Sequence, residues 1–363
     1  MGRRSSESRP RTTIRDVARV SGFSLTTVSF VLNDAPLAQY ISTATKDQIR
    51  DVALKLGYHP NIYARFLRTN RSRTIGLMVF DIADPFCTPI IGGVQSVLYP
   101  ASYLPLFIDV QNNYPRFEKS LEMLLGSRVE GLLVIANWVL MDVNLLADLV
   151  NIRMPVVMIA RGVEMGSVSC IKVDNEAGGF AAVQCLYAKG HRQIAFIRGP
   201  TGLSDSAIRW QGIQQFARTH SLEIDPDLVV DLPETKASLS AFDSSLELTR
   251  KLIQKKRPFT AILAFDDISA LGAIRALSHA NIRVPQECSV IGFDDIAFAE
   301  LCVPRLTTVR QPLAMMGRMA ATLLLEAVRE HGKGESEAVL RTVIPELVMR
   351  DSVVKPRSGT KGR

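Results

Sequence analysis

Short hydrogen-bonding side chains recur along one face of a short predicted helix near the N-terminus. Thr26, Ser29 and Asn33 follow helical spacing on this face. Val28 and Val31 begin an apolar stripe on the opposite face. Hydroxyl and amide groups on an exposed helix hydrogen-bond phosphates and base edges. The pattern therefore predicts a nucleic-acid surface, and the structural alternative is an ordinary helical hairpin.

Two helices joined by a tight turn must position this face. Thr13 and Ser24 each precede an amphipathic stretch, where a hydroxyl side chain can cap a helix. Gly22 lies where the first helix must end and the chain must reverse. A third helix is predicted between Ser42 and Gly57. This arrangement is a helix-turn-helix, which leaves one face of its second helix available to enter a DNA groove.

The net positive charge lies entirely in the N-terminal part of the chain. The chain has 43 Lys and Arg residues against 36 Asp and Glu residues. Residues 1–73 contain 13 basic and 5 acidic side chains, which leaves 30 basic and 31 acidic side chains on the other 290 residues. A basic headpiece on a near-neutral body is typical of polyanion binding. A membrane surface is the weaker alternative, because no segment reaches the roughly 18 uninterrupted apolar residues of a membrane span and the basic region lacks a strongly apolar opposite face.

Cysteine usage and the N-terminal segment indicate the compartment. The five cysteines are scattered and contain no Cys-x-x-Cys pair, which predicts reduced, mostly buried thiols. Residues 1–11 have a basic start but no apolar segment, so they are predicted to form a disordered basic arm rather than a secretory signal. A cytoplasmic protein is therefore expected.

From residue 74 onward, short apolar stretches alternate with helix-length segments. Strands are predicted over residues 75–80, 104–110, 131–136, 156–160, 194–198, 228–232, 261–265, 290–293 and 307–311. This alternation is typical of parallel βαβ sheets, and so many strands favour two doubly wound lobes over one sheet. Ligands of such folds bind at the carboxyl ends of the strands. The residues that follow the strands are unusually polar: Asp81, Asp84, Arg161, Asp266, Asp267, Asp294 and Asp295.

A short segment joins the two parts of the chain. Asn61 is a candidate cap for residues 62–68, and the polar run 69–73 is predicted to be a linker. So short a segment does not form a stable isolated helix, because helix nucleation is costly. We expect it to become ordered only when something packs against it, which makes it a candidate conformational switch.

Several separate motifs, in the same order, resemble the lactose/galactose repressor family of bacterial transcription factors. The resemblance covers residues 12–352. Its most specific parts are Ile14-Arg15-Asp16-Val17-Ala18, Thr27-Val28-Ser29 with Val31-Leu32-Asn33, Leu56-Gly57-Tyr58-His59-Pro60-Asn61, Ala64-Arg65-Phe66-Leu67, Thr74-Ile75-Gly76-Leu77, Val290-Ile291-Gly292-Phe293-Asp294-Asp295 and Leu306-Thr307-Thr308-Val309. The resemblance implies an N-terminal all-α helix-turn-helix domain, a hinge helix, and an α/β core of two doubly wound lobes that resembles periplasmic sugar-binding proteins.

The resemblance also implies a division of the chain. A helix-turn-helix headpiece is expected over residues 12–60 and a hinge helix with its linker over 61–73. The bilobed effector-binding and dimerisation core is expected over 74–352, with the N-lobe at about 74–172 and 304–333 and the C-lobe at about 173–303 and 334–352. Residues 353–363 are expected to form a disordered tail without the heptads of a helical bundle.

DNA contacts follow from the resemblance position by position. Base contacts are implied for Leu25, Thr26 and Phe30. Phosphate contacts or helix caps are implied for Ser24, Thr27, Ser29 and Asn33, beside the hinge cap Asn61. Leu67 matches a hinge leucine that wedges into a base step of the minor groove, with Ala64 and Arg68 beside it. Two hinges that meet at one step require a homodimer, which implies a pseudo-palindromic operator in double-stranded DNA.

Phe30 departs from the family pattern, because many members carry a hydrogen-bonding side chain at this position. A phenyl ring makes no bidentate pair with a base, so apolar contact with a thymine methyl group is one expectation. The alternative is that Phe30 folds back onto the headpiece.

The resemblance also implies five residues of an effector site. Asp294 matches an aspartate that hydrogen-bonds effector hydroxyls, and Arg209 matches an arginine that grips the effector. Phe86, Asp266 and Arg161 lie at other lining positions. Helix capping or a surface ion pair is the structural alternative for each charged residue.

Two departures leave the effector class open. Ala160 stands where many sugar-binding members carry an acidic residue, and Leu239 stands where others place a stacking aromatic ring. A sugar or sugar derivative is the family-typical expectation. A phosphorylated or carboxylated ligand is the alternative, which Arg161 and Arg209 would favour.

Two other functions compete with a ligand-controlled regulator. A periplasmic binding protein is disfavoured by the missing secretory signal and by the basic headpiece. An enzyme is disfavoured because the sequence has no Gly-x-Gly-x-x-Gly after its first strand, no P-loop and no nucleophile with a partnering base. The five histidines lack metal-ligand spacing. No catalytic residue, cofactor, metal or membrane partner is therefore expected.

Overall fold

The computed structural model describes residues 12–33, 35–58, 71–136, 152, 154–159, 168–234, 239–331 and 337–357. The chain divides into two compact units, Met1–Ser72 and Arg73–Arg363. The first unit contains the headpiece, and we call the second the C-terminal unit.

The elements follow in chain order. The headpiece contains α1 (Ile14–Ser21), α2 (Leu25–Leu32), a 3-10 turn (Pro36–Tyr40) and α3 (Thr43–Lys55). The α-helices of the C-terminal unit are α4 (Cys87–Leu98), α5 (Tyr114–Gly126), α6 (Asn175–Ala188), α7 (Ser204–Thr219), α8 (Ser240–Gln254), α9 (Asp267–His279), α10 (Ala297–Leu301) and α11 (Leu313–Glu330). Its strands are β1 (Thr74–Val79), β2 (Leu104–Asp109), β3 (Gly131–Ile135), β4 (Val156–Ile159), β5 (Ser169–Val173), β6 (Ile194–Arg198), β7 (Val229–Asp231), β8 (Ala261–Ala264), β9 (Ser289–Asp294), β10 (Thr307–Arg310), β11 (Leu340–Val343) and β12 (Glu346–Val348).

Local hydrogen bonds define the ends of the headpiece helices. Thr13 and Asp16 form a reciprocal capping box at the start of α1. Gly22, with φ of 77°, ends α1 and donates its N–H to the carbonyl of Ala18 at 3.0 Å. Ser24 caps α2 and Ser42 caps α3, each by accepting an N–H from the residue three positions later. The predicted caps Thr13, Ser24 and Ser42 and the predicted end of α1 at Gly22 are therefore confirmed.

A small apolar core holds the three helices of the headpiece together. Val17, Val28, Val31, Ile49 and Ala53 are buried in it. The predicted apolar stripe of α2 thus packs inward, and the face that carries the polar side chains is left outside the core.

The first lobe of the C-terminal unit is a parallel sheet in the strand order β11-β5-β4-β3-β1-β2. Helices α4 and α11 cover one face of this sheet, and α5 covers the other. Alternate residues of a strand point to opposite faces. Accordingly, Leu77 packs with α4 and α11, whereas Met78 packs with α5.

The second lobe has the strand order β12-β10-β9-β8-β6-β7, in which only β12 among the described strands is antiparallel to its neighbour. Helices α6 and α7 cover one face, and α8 and α9 cover the other. Burial on both faces explains the continuous apolar runs of the central strands. The predicted fold, two doubly wound α/β lobes after an all-α headpiece, is confirmed.

The lobe boundaries differ from the expected ones near the C-terminus. Residues 304–333 were expected in the N-lobe, yet β10 pairs with β9 in the second lobe while α11 packs on the first. Residues 334–352 were expected in the C-lobe, yet β11 pairs with β5 in the first. These parts of the expected boundaries were wrong, because the sequence of a four-residue strand does not encode which sheet it will join. The start of the expected disordered tail, residues 353–363, was also wrong: Val353 is 5% exposed in the core of the second lobe, and the Val354 carbonyl accepts a hydrogen bond from His191 Nε2 at 2.9 Å. The chain crosses between the lobes after β5, after β10 and after β11.

The predicted strands are all present, and each of their ends agrees to within one residue. Three strands, β5, β11 and β12, were not predicted from the apolar pattern. Ser169 and Lys172 interrupt the apolar pattern of β5, and Arg341 and Thr342 are exposed on the edge strand β11. Pairing with a neighbouring strand, rather than an apolar run, makes these segments strands.

Candidate DNA-binding and effector sites

Helix α2 presents its N-terminal end to solvent. Ser24 and Thr26 are polar residues at this end, and Leu25 is 43% exposed although its side chain is apolar. In a helix-turn-helix the N-terminal residues of the second helix approach base edges. An exposed leucine at this place is suited to apolar contact in a groove.

Several of the predicted DNA-binding side chains also stabilise the helix itself. The Ser24 hydroxyl accepts the N–H of Thr27 at 3.1 Å and shares a second hydrogen bond with the Thr27 hydroxyl at 2.8 Å. Asn33 Nδ2 donates to the carbonyl of Ser29 at 2.8 Å. A hydroxyl or amide has further donor and acceptor capacity beyond one such bond. Capping and phosphate contact are therefore compatible for these residues.

Phe30 is half-buried on α2. The buried residues nearest to it in sequence, Val28 and Val31, point into the headpiece core. With 100° between successive helix residues, Phe30 lies close to Thr26 on the opposite side. Its ring therefore stands beside the polar face rather than in the centre of the core.

Part of the predicted set lies outside the described residues. This holds for the hinge positions Asn61, Ala64, Leu67 and Arg68. It also holds for Arg161 and for Ala160 in the C-terminal unit. Their roles remain predictions from the sequence.

Arg209 on α7 is the central cation of the predicted effector site and is only 7% exposed. Its Nε and Nη2 donate to Asn175 Oδ1 at 3.1 and 2.8 Å, and its Nη1 donates to the carbonyl of Phe265. The guanidinium carbon lies 4.5 Å from the ring centroid of Phe265 and 3.5 Å from that of Phe293. These contacts fix the plane of the guanidinium by neutral acceptors and aromatic faces.

The carboxylates around Arg209 belong to both lobes. Burial raises the pKa of Asp294 well above its usual range, Arg209 opposes that rise, and Asp266 and Asp84 add to it. Asp84 follows β1 in the first lobe, so its field reaches across to the second. Burial also lowers the pKa of Arg209, and Asp294 and Asp205 oppose this. The carboxylates near Arg209 therefore repel one another, and hydrogen bonds from donor groups would reduce this repulsion.

Asp294 has an unusual backbone and a firm side-chain partner. Its φ is 109°, a region that side chains other than glycine rarely adopt. Gln311 Nε2 donates to Asp294 Oδ1 at 2.5 Å. Gln311 follows β10 directly, where the chain leaves the second lobe for α11 of the first. The predicted effector aspartate is thus attached to a connection between the lobes.

Asp266 and Phe86 have clear structural contacts. Asp266 caps α9 and accepts the N–H of Ser269 at 2.7 Å, as the alternative interpretation expected. Burial raises the pKa of Asp266. Phe86 is 7% exposed within the apolar core of the first lobe, and its N–H donates to Asp84 Oδ1 at 3.0 Å. Both residues are therefore held by structural contacts within their own lobes.

The structure thus brings Arg209, Asp266 and Asp294 into one electrostatic neighbourhood, with Asp84 of the first lobe. A cavity of about 20 Å³ beside Arg209 and Trp210 has room for a water molecule but not for a sugar ring. Leu239, at the start of α8, is 45% exposed.

Sequence reasoning missed two residues that hold this site in place. Asn175 follows β5, a strand that the apolar pattern did not predict, so its position after a strand was hidden. Gln311 was placed at the end of a predicted strand, but nothing in the sequence indicates that it bonds Asp294. Both contacts join residues that are distant in sequence.

Among the described residues, His, Cys, Asp and Glu side chains form no cluster of three or more that is suited to a metal ion. No helix within the described ranges combines the length and apolar character needed to cross a membrane.

Sequence profiles match both units of the chain. Residues 13–61 match the profile described as bacterial regulatory proteins, lacI family. Residues 183–353 match the periplasmic binding protein-like domain.

Full-length relatives and solved structures extend this match. The HTH-type transcriptional repressor PurR of Histophilus somni (strain 2336) is 33% identical over 342 residues, which cover 94% of this chain and 98% of the relative. The transcriptional regulator CelR in complex with cellobiose is 30% identical, with a TM-score of 0.69 over 94% of this chain and 100% of that one. The Lac repressor bound to ONPG is 25% identical, with a TM-score of 0.79 over the same shares.

The profile match in the headpiece, the two-lobed C-terminal unit and the identity to repressors over 94% of the sequence agree with one another. The chain belongs to the lacI family of bacterial regulatory proteins.

Proposed function

We propose that this protein is a transcriptional repressor that binds a pseudo-palindromic operator as a homodimer and changes its operator affinity when a small-molecule effector binds between the lobes. The observation that carries the proposal is the buried Arg209–Asp294 neighbourhood, which includes Asp84 from the opposite lobe. A ligand that contacts both lobes changes their relative arrangement, because it favours the closed state.

The DNA contacts that we propose are those of the headpiece and hinge. Leu25, Thr26 and Phe30 contact base edges, and Ser24, Thr27, Ser29 and Asn33 contact phosphates. The exposure of Leu25 and its neighbours at the start of α2 supports this assignment. Asn61, Ala64, Leu67 and Arg68 form the hinge that enters the minor groove, where an inserted leucine unstacks a base step at a cost of a few kcal/mol that wider contact offsets.

Exposed apolar side chains support a dimer. Leu104 and Phe107 on the edge strand β2 are 60% and 38% exposed, and Leu301 and Val303 after β9 are 74% and 93% exposed. Apolar surface of this kind marks protein interfaces when it is contiguous. We propose that a second copy covers these residues and thereby sets the spacing of the two hinges.

The effector class that fits the site best is a neutral molecule rich in hydroxyl groups, such as a sugar. Asp84, Asp266 and Asp294 supply acceptors for hydroxyl donors, and Arg209 supplies donors for hydroxyl or ring oxygens. An anionic ligand would meet three carboxylates for one buried arginine. The complex of the CelR relative with cellobiose supports the same class.

No catalytic step is proposed, since the PurR relatives act as repressors. We propose a cytoplasmic location, because the operator DNA that such a protein binds lies in the bacterial cytoplasm.

A ligand screen tests the proposal. The full chain is heated with sugars, including cellobiose, and with small acids, and each stabilising compound is then added to a complex with the upstream DNA of its own gene. We expect a hit to change operator affinity by about 5-fold to 150-fold, the range of typical allosteric couplings. Light scattering should give a dimer. A ligand that stabilises the protein but leaves operator affinity unchanged would contradict effector control.

A further inference from the structure

Asp267, the first residue of α9, is completely buried, and none of the contacts proposed above uses it. Its Oδ1 accepts a hydrogen bond from the Thr308 hydroxyl at 2.5 Å, and its Oδ2 accepts one from the N–H of Ile296 at 2.9 Å. Thr308 lies on β10, and Ile296 lies in the loop after β9. One carboxyl group therefore joins three segments of the second lobe.

Strand β9 is shaped to let this side chain pass. Gly292 pairs with Thr308 in the parallel register of β9 and β10. A Cβ atom at Gly292 would lie 2.2 Å from Asp267 Oδ1 and 3.2 Å from the Cα of Asp267. No side chain fits there while the carboxyl stays in place, so the missing Cβ of Gly292 is a condition for the Asp267–Thr308 hydrogen bond.

The loop that Asp267 holds is strained and contains the effector aspartate. Asp294 and Asp295 have φ values of 109° and 58°. Non-glycine residues in such conformations persist only where surrounding contacts fix them. Arg310 and Arg350 bond the Asp295 carboxylate at 2.6 and 2.7 Å. The N–H of Ile296, bonded to Asp267, fixes the other end of the loop.

The C-terminal end of β10 supplies several of these contacts. Thr308, Arg310 and Gln311 bond Asp267, Asp295 and Asp294 respectively. After Gln311 the chain enters α11 of the first lobe. Any shift of the loop therefore changes the contacts of the segment that connects the lobes.

We infer that Asp267 is a positioning residue for the effector response: it holds the Asp294 loop in its strained form and fastens that loop to β10, so that a contact made at Asp294 reaches the connection between the lobes. The inference deepens the proposed function and rests on it for the link to effector.

The chemistry of the two hydrogen bonds defines the variants. Burial raises the pKa of Asp267 to about 8, the bonds from Thr308 and Ile296 oppose this, and Asp266 and Asp295 add to it. An asparagine has the same shape, and its amide can donate to the Thr308 hydroxyl while its oxygen accepts from Ile296. Asp267→Asn therefore preserves both contacts, whereas Asp267→Ala removes both.

Amide hydrogen exchange of the full chain without ligand is the first test. In Asp267→Ala, peptides over residues 293–298 and 306–312 should each exchange about tenfold faster, because each of these segments loses one hydrogen bond to Asp267. In Asp267→Asn, exchange should stay within about threefold of the wild type, because both bonds are retained. Thr249→Val is the control, since the buried Thr249 hydroxyl in the same lobe has no hydrogen-bond partner among the described residues. It should leave both peptides unchanged.

Exchange within twofold of the wild type in Asp267→Ala would overturn the inference. So would an Asp267→Asn variant that is as damaging as Asp267→Ala, because shape and hydrogen bonding would then not be the cause. Should Asp267→Ala fail to fold, Thr308→Val decides in its place. It should be more damaging when combined with Asp267→Asn, where an amide N–H loses its acceptor, than beside the native aspartate. Equal effects in the two backgrounds would contradict the hydrogen-bond geometry.

The operator assay separates this inference from the proposed function. Cellobiose is the probe, and the readout is the ratio of operator affinities without and with it. Asp267→Ala should reduce this ratio at least fivefold and leave the affinity without cellobiose within about twofold, because the headpiece is unchanged. A wild-type protein that binds no operator contradicts the proposed function, while the exchange data still decide whether Asp267 positions the loop.

Discussion

Helix α2 and the effector residues of the second lobe are built by opposite means. Ser24 bonds Thr27, three residues away, and Asn33 bonds Ser29, four residues away. Arg209, by contrast, bonds residues 34 and 56 positions away, Asn175 and Phe265. The proposed DNA-facing surface is therefore specified by short segments, whereas the proposed effector site depends on distant segments that the lobe brings together.

Replacement of Arg209 should produce the largest separation between the two regions. Arg209→Met should weaken effector binding about 100-fold or more, because charge-assisted hydrogen bonds contribute about 1.5–3 kcal/mol each. Operator affinity without effector should change less than about threefold, since the contacts of α2 are local. Calorimetry with a hit from the ligand screen and fluorescence anisotropy with operator DNA measure the two. Arg305→Met, at an exposed ion pair with Asp351, is the matched control. Unchanged effector affinity in Arg209→Met would remove this residue from the site.

A methyl group added to β9 tests the long-range packing of the second lobe. Gly292→Ala should lower the free energy of unfolding by about 3 kcal/mol, because the new Cβ collides with the Asp267 carboxyl. Gly92→Ala is the control, since a Cβ there has nothing within 4 Å in helix α4. It should raise stability by about 0.5–1 kcal/mol. Chemical denaturation followed by circular dichroism measures both. Equal stability of the two variants would show that the second lobe adapts to the methyl group.

Neighbouring hydroxyls on α2 separate helix capping from DNA contact. Ser24→Ala should lower the stability of the headpiece by about 1 kcal/mol, because the N-cap of α2 is lost. Thr26→Ala should leave stability within about 0.5 kcal/mol, as expected for an exposed position, yet weaken operator binding. Thermal unfolding and anisotropy with operator DNA distinguish the two. A Thr26→Ala variant with wild-type operator affinity would contradict the base contact proposed for Thr26.

The smallest expected effect concerns a buried histidine in the second lobe. Burial lowers the pKa of His191 below 6.5, and its ring nitrogens bond the Thr260 hydroxyl at 2.8 Å and the carbonyl of Val354 at 2.9 Å. The unfolded state thus binds the proton more tightly, so this contribution to stability is present above pH 6.5 and is lost as the pH falls. Denaturation between about pH 7.5 and 5 should show a steeper loss in the wild type than in His191→Gln. Parallel profiles would indicate that His191 carries its proton equally in both states.

The sequence predicted features that depend on neighbouring residues and missed those that depend on distant ones. The caps Thr13, Ser24 and Ser42 and the turn at Gly22 were predicted correctly, since each depends on neighbours within a few residues. The central strands were predicted because they are buried on both faces and read as apolar runs. Strands β5, β11 and β12 were not, because their pairing partners rather than their composition define them.

The effector residues show where a pattern stops being informative. Arg209, Asp266 and Asp294 were assigned to the effector site from the resemblance to the repressor family, and the structure places them in one electrostatic neighbourhood. Asn175 bonds Arg209, Gln311 bonds Asp294, and Asp267 bonds Ile296 in the loop that follows Asp294. No local pattern in the sequence marks these contacts. A hydrogen bond between residues far apart in sequence depends on the fold.

The sequence by itself determined the helix-turn-helix, the basic headpiece, the alternation of strands and helices and the family motifs, because these rest on propensity, capping and charge within short windows. Only the tertiary structure decided which sheets β10 and β11 each join. It also decided which carbonyl and amide oxygens accept hydrogen bonds from Arg209. It also decided that Asp267 bonds Thr308 across Gly292. Those outcomes depend on strand pairing and burial over tens to hundreds of residues, where local preference carries no information.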